Sequence, residues 1–253
     1  MSGPLVLLER QLMIYRHTWY VLLAEIFEPV LYLLSIGVGI GVLIGSVTGT
    51  GAHPVRYAAF VAPALLATAA MNGAMNEVTF NMYTQLKVDR LYASMLSTPV
   101  SARDIGLGEI AWACLRGVTV SISFLIVMAV AGLAGSWWIL LAPFAAMLVG
   151  FAFACAGLVV VTWLHSWQDF QLIQLVMLPM FLFATTFYPV GVFPRPVQVV
   201  VECLPLYQAI TLIRSLALGT LGWPVAGAVL YLAVMGAGAL VIALRRLAAT
   251  LSP

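Results

Sequence analysis

The chain has 253 residues, 63% hydrophobic and only 8% charged, with a formal net charge of +2 and a mean hydropathy of +1.08. Soluble domains are about 45–50% apolar and about 25% charged, so this composition excludes a soluble domain and describes an integral membrane protein. The near-neutral charge leaves no nucleic-acid footprint, and the apolar runs are continuous rather than alternating, which excludes a transmembrane barrel.

In chain order, residues 1–20 lack the basic start and small-residue cleavage site of a secretory leader and are expected to stay attached. Leu5, Leu8, Leu12, Tyr15 and Trp19 recur at helical spacing, with Glu9, Arg10, Arg16 and His17 on the other side. This pattern predicts a helix lying in the membrane interface, with a solvated helix as the alternative. A first span is expected over residues 21–45, with Gly37, Gly41 and Gly45 as a small-residue stripe that lets another helix approach. The Gly-rich link GTGAHPVR leads to a second span over 57–78, where Pro63 falls in the first turns.

Residues 80–112 form the one long polar insert, with six of the twenty Asp, Glu, Lys and Arg residues and the sole lysine, Lys87. A third span follows over 107–133 and a fourth over 139–164. A tight His165–Asp169 turn precedes a fifth over 170–187, with Pro179 as an expected kink. The next stretch is too rich in proline for a straight span and too apolar for a free loop. Pro189, Pro194, Pro196 and Pro205 bound two expected short helices dipping into the outer leaflet over 188–222. A sixth span over 225–244 ends in Arg245 and Arg246. The predicted fold is therefore all-α and polytopic: six transmembrane helices, an N-terminal interfacial helix and an outer re-entrant helical hairpin, in a single transmembrane domain over 1–253.

Basic residues near span ends set the orientation. With both termini inside, Arg10, Arg16, Lys87, Arg90, Arg103, Arg245 and Arg246 are cytosolic, against Arg56, Arg195 and Arg214 outside. No G-x-x-x-x-G-K-[ST] occurs, and Lys87 sits in TQLKVDR, so the chain holds no phosphate loop, catalytic motif or cofactor site of its own. The Gly37–Gly41 run lacks the strand and the acidic partner of a dinucleotide site. His17, His53 and His165 are scattered and no paired-cysteine spacing exists, so no metal site is expected. Cys114 and Cys155 fall within spans and Cys203 stands alone, so no intrachain disulfide is expected.

Ionisable and amide groups at membrane depth remain. Glu25 and Glu28 lie a turn apart in the first span, Asn72, Asn76 and Glu77 line the inner end of the second, and Glu109 and Arg116 share a face of the third. These groups form either a polar vestibule on a substrate path or structural pairs, such as Arg116 with Glu25, Glu28 or Glu77. The aromatic cluster of Phe181, Phe183, Phe187 and Tyr188 suits a lipid-like or polycyclic cargo, and equally the filling of a bundle.

The insert LYASMLSTPVSARDIGLGEIAWA and the outer segment FYPVGVFP…LPLYQAITLIRSLALG, with the span pattern around them, resemble the ATP-binding-cassette type-2 export permeases. Among these, the chain resembles the nodulation lipo-oligosaccharide export permeases and the related antibiotic-export permeases. The resemblance implies a plasma-membrane subunit that exports a hydrophobic or amphipathic molecule. It implies pairing with a second copy or related permease, and with cytosolic ATPase subunits that bind ATP and Mg. It places a coupling segment at 80–106, its helix at about 86–96. Lys87, Asp89, Arg90, Arg103 and Asp104 would supply polar contacts there, and Leu91, Tyr92 and Met95 an apolar ridge. Ser101 and Asp104 are spaced to cap the following helix. The family arrangement suggests dimerisation through the first and fifth spans, which the glycine stripe permits. The alternative is a stand-alone secondary transporter or channel, whose repeated halves and deep carboxylates are not evident in the sequence.

Overall fold

The computed structural model describes residues 9–13, 19–48, 54–85 and 101–251. Most of the expected interfacial helix, and the expected coupling residues Lys87, Asp89, Arg90, Leu91, Tyr92 and Met95, lie outside the described residues. Residues 9–13 are helical.

Helix α1 (Trp19–Tyr32) runs on through π-helical turns at Leu33–Ile40 and a last α-turn at Gly41–Ile44. Gly45 ends it at φ 73°, a conformation that glycine adopts without steric penalty. The following link is not irregular throughout. Strands β1 (Ser46–Thr48) and β2 (Pro54–Arg56) pair antiparallel in the register Ser46 to Arg56, Val47 to Val55 and Thr48 to Pro54. This hairpin departs from the all-helical expectation because three-residue strands are too short to show any alternation.

Helix α2 (Tyr57–Asn76) continues through a π turn at Glu77–Asn81. Helix α3 (Ala102–Val130) starts earlier than the hydropathy suggested, because a capping box holds its first turn. The Ser101 hydroxyl accepts from the Asp104 N–H at 3.2 Å, and the Asp104 carboxylate accepts from the Ser101 N–H at 3.0 Å. A short 3₁₀ turn, Trp137–Leu141, leads into α4 (Ala142–Val161), and α5 (Phe170–Phe183) follows. The fifth predicted span is thus cut short. Its 14 helical residues rise about 21 Å against the roughly 30 Å of a hydrocarbon core, and Thr185 then turns the chain at φ 63°.

The prolines beyond act as helix starters. Pro196 and Pro205 open α6 (Arg195–Glu202) and α7 (Pro205–Leu218), where their missing N–H is not needed. The two helices meet at a bend of 83°. Gly219, at φ 74°, caps α7, and α8 (Trp223–Leu251) closes the chain. Among the described residues, five helical stretches are long and apolar enough to cross a membrane: Glu25–Ile44, Tyr57–Asn81, Ala102–Val130, Trp137–Val161 and Trp223–Ala249. The bent α6–α7 pair passes the same test as one broken unit.

Helix α2 is the pillar of the bundle. Its sequence YAAFVAPALLATAAMNGAMN is dominated by alanine, so α3, α4 and α7 pack against it closely, and from Phe60 to Met71 it is buried on nearly every side. Two glycines of the first-span stripe face the same pillar. A Cβ on Gly37 would lie 3.7 Å from Ala58, and one on Gly41 would lie 3.6 Å from the Tyr57 ring. Gly37 and Gly41 therefore pack within the chain, whereas a Cβ on Gly45 would meet nothing within 4 Å. Helix α8 docks on α4 in the same way, with Gly236 against Phe151 and the Ala152 backbone.

A Cβ on Gly236 would come within 2.6 Å of the Phe151 ring. Gly236→Val is therefore expected to lower stability by about 1–3 kcal/mol, as overpacking does. Thermal unfolding in detergent would read this as a lower midpoint, and an unchanged midpoint would show that α8 docks elsewhere.

Candidate functional site

The polar groups of the first three spans converge. Arg116 of α3 lies between Glu25 of α1 and Glu77 at the end of α2, and forms an ion pair with each. Its Nε donates to Glu25 Oε2 at 2.8 Å. Glu28, the third carboxylate within reach in the sequence, is not part of this triad. Glu77 Oε1 also accepts from Trp112 Nε1 at 3.1 Å and from Asn81 Nδ2 at 2.8 Å. The ladder continues as Gln85 Nε2 donates to Asn81 Oδ1 at 2.9 Å and Arg10 donates to Gln85 Oε1 at 3.3 Å. Residues 77, 81 and 85 stack because four-residue spacing returns to one helix face. Glu109, fully buried, accepts from Gln11 Nε2 at 3.2 Å. The helical residues 9–13 are thereby fastened to α2 and α3 by buried polar bonds.

Beside this seam, a cavity of about 250 Å³ opens between α1, α2 and α5. Glu25, Glu28, Asn76 and Gln174 line one end, and Tyr32, Leu65 and Phe181 the other, with Asn72 and Met177 between them. Leu65 and Asn76 are eleven residues apart on α2, about 16 Å along the axis. The cavity therefore grades from polar to aromatic over half a membrane thickness. The Tyr32 and Phe181 rings stand 6.2 Å apart at its apolar end. Glu28, Asn72, Asn76 and Gln174 make no hydrogen bond among the described residues.

On the other flank of α5 lies an apolar groove of about 480 Å³ between α2, α4 and α5, lined by residues such as Met75, Val160, Trp163 and Val176. Met177 borders both spaces, and the buried residues of α5 are Met177 and Met180. At the foot of α5, the rings of Phe80, Tyr83, Trp167 and Phe170 pack with centroids 5.2–5.7 Å apart. The adjoining turn is closed by Asp169, whose carboxylate accepts from the N–H groups of His165 and Ser166 at 2.8 and 3.0 Å. Those bonds hold the carboxyl below its usual range.

The cavity brings together Glu25, Asn72, Asn76 and Phe181 of the residues singled out from the sequence. Glu77 and Arg116 stand behind Glu25 in the ionic seam. Phe187 packs edge-on against Phe181 at 5.3 Å, whereas Phe183 turns outward beside Phe193 at 6.0 Å, and neither lines the cavity. Arg103 is exposed, and Asp104 is engaged locally by Ser101. Arg214, expected on the outer side within the re-entrant hairpin, is buried. Its Nε donates to the Phe60 carbonyl at 3.2 Å, its Nη2 donates to the Thr185 carbonyl at 2.8 Å, and its guanidinium lies 3.8 Å from the Phe60 ring centroid. Sequence reasoning missed Gln11, Gln85, Trp112 and Gln174. The i, i+4 run Glu77, Asn81, Gln85 was visible in principle, whereas Gln11 lies 98 positions from its partner Glu109.

Long apolar helices around a buried ionic seam, with an amphipathic cavity at its edge, define a multi-pass membrane protein of the permease type. Residues 5–218 match the family described as ABC-2 type transporter, and the chain belongs to that family. It is 33% identical over 215 residues to Nodulation protein J of Rhizobium leguminosarum bv. viciae, covering 85% of this chain and 80% of the relative. It is 34% identical over 199 residues to Nodulation protein J of Rhizobium leguminosarum bv. trifolii, covering 78% and 74%. The protein of that name from Rhizobium meliloti (strain 1021) is 31% identical over 200 residues, covering 79% and 74%. Membership makes the chain a membrane component of an ABC transporter rather than a stand-alone carrier or channel.

Removing Arg116 would leave Glu25 and Glu77 facing each other with their shared cation gone. Arg116→Ala is expected to cost about 3–5 kcal/mol, as breaking a buried pair does, and to reduce the yield of folded protein in size-exclusion chromatography. Adding Glu25→Gln and Glu77→Gln should restore much of it, whereas equal yields for the single and triple variants would mean that the triad does not hold the helices together.

Proposed function

We propose that the chain is the membrane subunit of an ATP-driven exporter that moves an amphipathic molecule out of the cytoplasm or the inner leaflet. The observation that carries this reading is the graded cavity between α1, α2 and α5. An amphiphile in the inner leaflet holds its head toward the cytosol and its tail toward the midplane, and the cavity is polar and apolar in that same order if the termini are cytosolic. Seven basic residues on that side of the sequence against three on the other support the orientation.

ATP and Mg belong to separate cytosolic subunits, and a second copy of this chain or a related one completes the pathway. The coupling contact is assigned to residues 86–96, where Leu91, Tyr92 and Met95 would seat in a groove of the ATPase, flanked by Lys87, Asp89 and Arg90. The polar ladder from Glu77 to Gln85 runs directly into that segment, so a push there would reach the Arg116 triad through hydrogen-bonded side chains. The α6–α7 pair, bent by 83°, is assigned as the re-entrant closure of the outward end, with Arg214 fastening it to α2.

Transport is tested by reconstituting the complex with a fluorescent inner-leaflet amphiphile and measuring its ATP-dependent appearance outside. No translocation above an ATPase-dead control would refute the export reading. Coupling has its own test. An exposed ion pair contributes about 0–1 kcal/mol and a buried aromatic anchor about 2 kcal/mol or more. Tyr92→Ala should therefore lose the ATPase on co-purification, while Lys87→Ala retains it. Full retention by Tyr92→Ala would move the contact elsewhere.

A further inference from the structure

The unsatisfied groups of the cavity specify the head that it takes. Asn72 lies three residues from the middle of the Tyr57–Asn81 span, about 4–5 Å from its centre. An amide at that depth without a partner is costly unless a ligand or water meets it, and Asn72 has no hydrogen bond among the described residues. Asn76, one turn below, and Gln174, on α5, line the cavity at exposed positions and also have no hydrogen bond among the described residues. Thr68 is excluded, because its hydroxyl already donates to the Ala64 carbonyl at 2.9 Å. Three amides therefore offer carbonyl acceptors and N–H donors to the same space.

The charge around that space is one-sided. The carboxylates of Glu25, Glu28 and Glu77 surround it or stand directly behind it, and Arg116 is the cation that faces them among the described residues. Neither α2 nor α5 brings a cation to the cavity wall. The guanidinium of Arg116 is engaged by Glu25 and Glu77, whereas Glu28 lines the cavity at an exposed position with no ion-pair partner among the described residues. An anionic head would be repelled by Glu28 and would find no guanidinium to neutralise it. A head rich in O–H or N–H groups would meet one carboxylate and three amide oxygens.

We infer that the cavity between α1, α2 and α5 binds amphiphiles whose head is a hydrogen-bond donor without negative charge, and that it rejects phosphate and sulfate heads. This deepens the export reading and rests on it for the biological role, but binding itself requires neither ATP nor the ATPase.

The test is displacement of a dansyl-labelled octylamine from the full-length chain in nanodiscs by octyl glucoside, octylamine and octyl phosphate. The glucoside and the amine should displace the probe at concentrations at least about tenfold below the phosphate, the size of one charge-assisted hydrogen bond. Glu28→Gln should weaken the amine by about tenfold and leave the glucoside nearly unchanged. Asn72→Leu, checked for an unchanged unfolding midpoint, should weaken the glucoside. Octyl phosphate displacing as well as the others, or an amine affinity indifferent to Glu28→Gln, would overturn the assignment. Selective binding without ATP-driven movement would instead refute the export reading and leave this one standing.

Discussion

A guanidinium inside a membrane bundle must be neutralised in place, and most of this structure follows from how Arg116 is neutralised. Two carboxylates from two other helices close on it, so α1, α2 and α3 cannot separate without exposing charge to hydrocarbon. The triad leaves one carboxylate's worth of negative charge over. Trp112 and Asn81 stabilise that excess by donating to Glu77, and Asn81 in turn is ordered by Gln85. The polar seam is thus a connected chain of donors and acceptors that begins at an ion pair and runs to Gln85 and Arg10.

Packing and polarity divide the labour between helices. The alanine-rich α2 is held from all sides, and α4 approaches it so closely that a Cβ on Gly157 would lie 3.3 Å from Met75 and from Thr79 in the turn that follows α2. Helices α1 and α8 expose most of their length, as they must if lipid or another chain covers them. Helix α5 is short and touches the rest through few side chains. A cavity forms where the thinly attached helix faces the well-packed one, and the unpaired amides are on its walls.

The membrane class, the placement of the long spans and the capping of α3 were legible because they depend on local composition and spacing. The convergence of Arg116 with Glu25 and Glu77 was legible as a short set of options, because a lone cation at membrane depth needs a carboxylate and few were available. The choice among them was not, since it depends on how α1 crosses α3. Gln11 meeting Glu109 and Gln174 facing Asn72 are tertiary events between distant segments, and no periodicity encodes them. The fifth span was overestimated because the short Thr185–Thr186 step is flanked by apolar residues and carries no charge, while the left-handed turn at Thr185 leaves no trace in hydropathy. The glycine stripe shows the reverse case: the small residues were visible, but their spacing does not say which neighbours Gly37 and Gly41 meet.

The contact between α5 and the bundle through Met177 and Met180 has a mechanical meaning. Thioether side chains are unbranched and polarizable, and they fill gaps of varying width with little penalty. Glycine and alanine contacts, such as those between α2 and α4, tolerate almost no change in spacing. One wall of the cavity is therefore stiff and the opposite wall is sprung. Girth is then a soft criterion for whatever enters, whereas the polar groups along the stiff wall stay fixed in register.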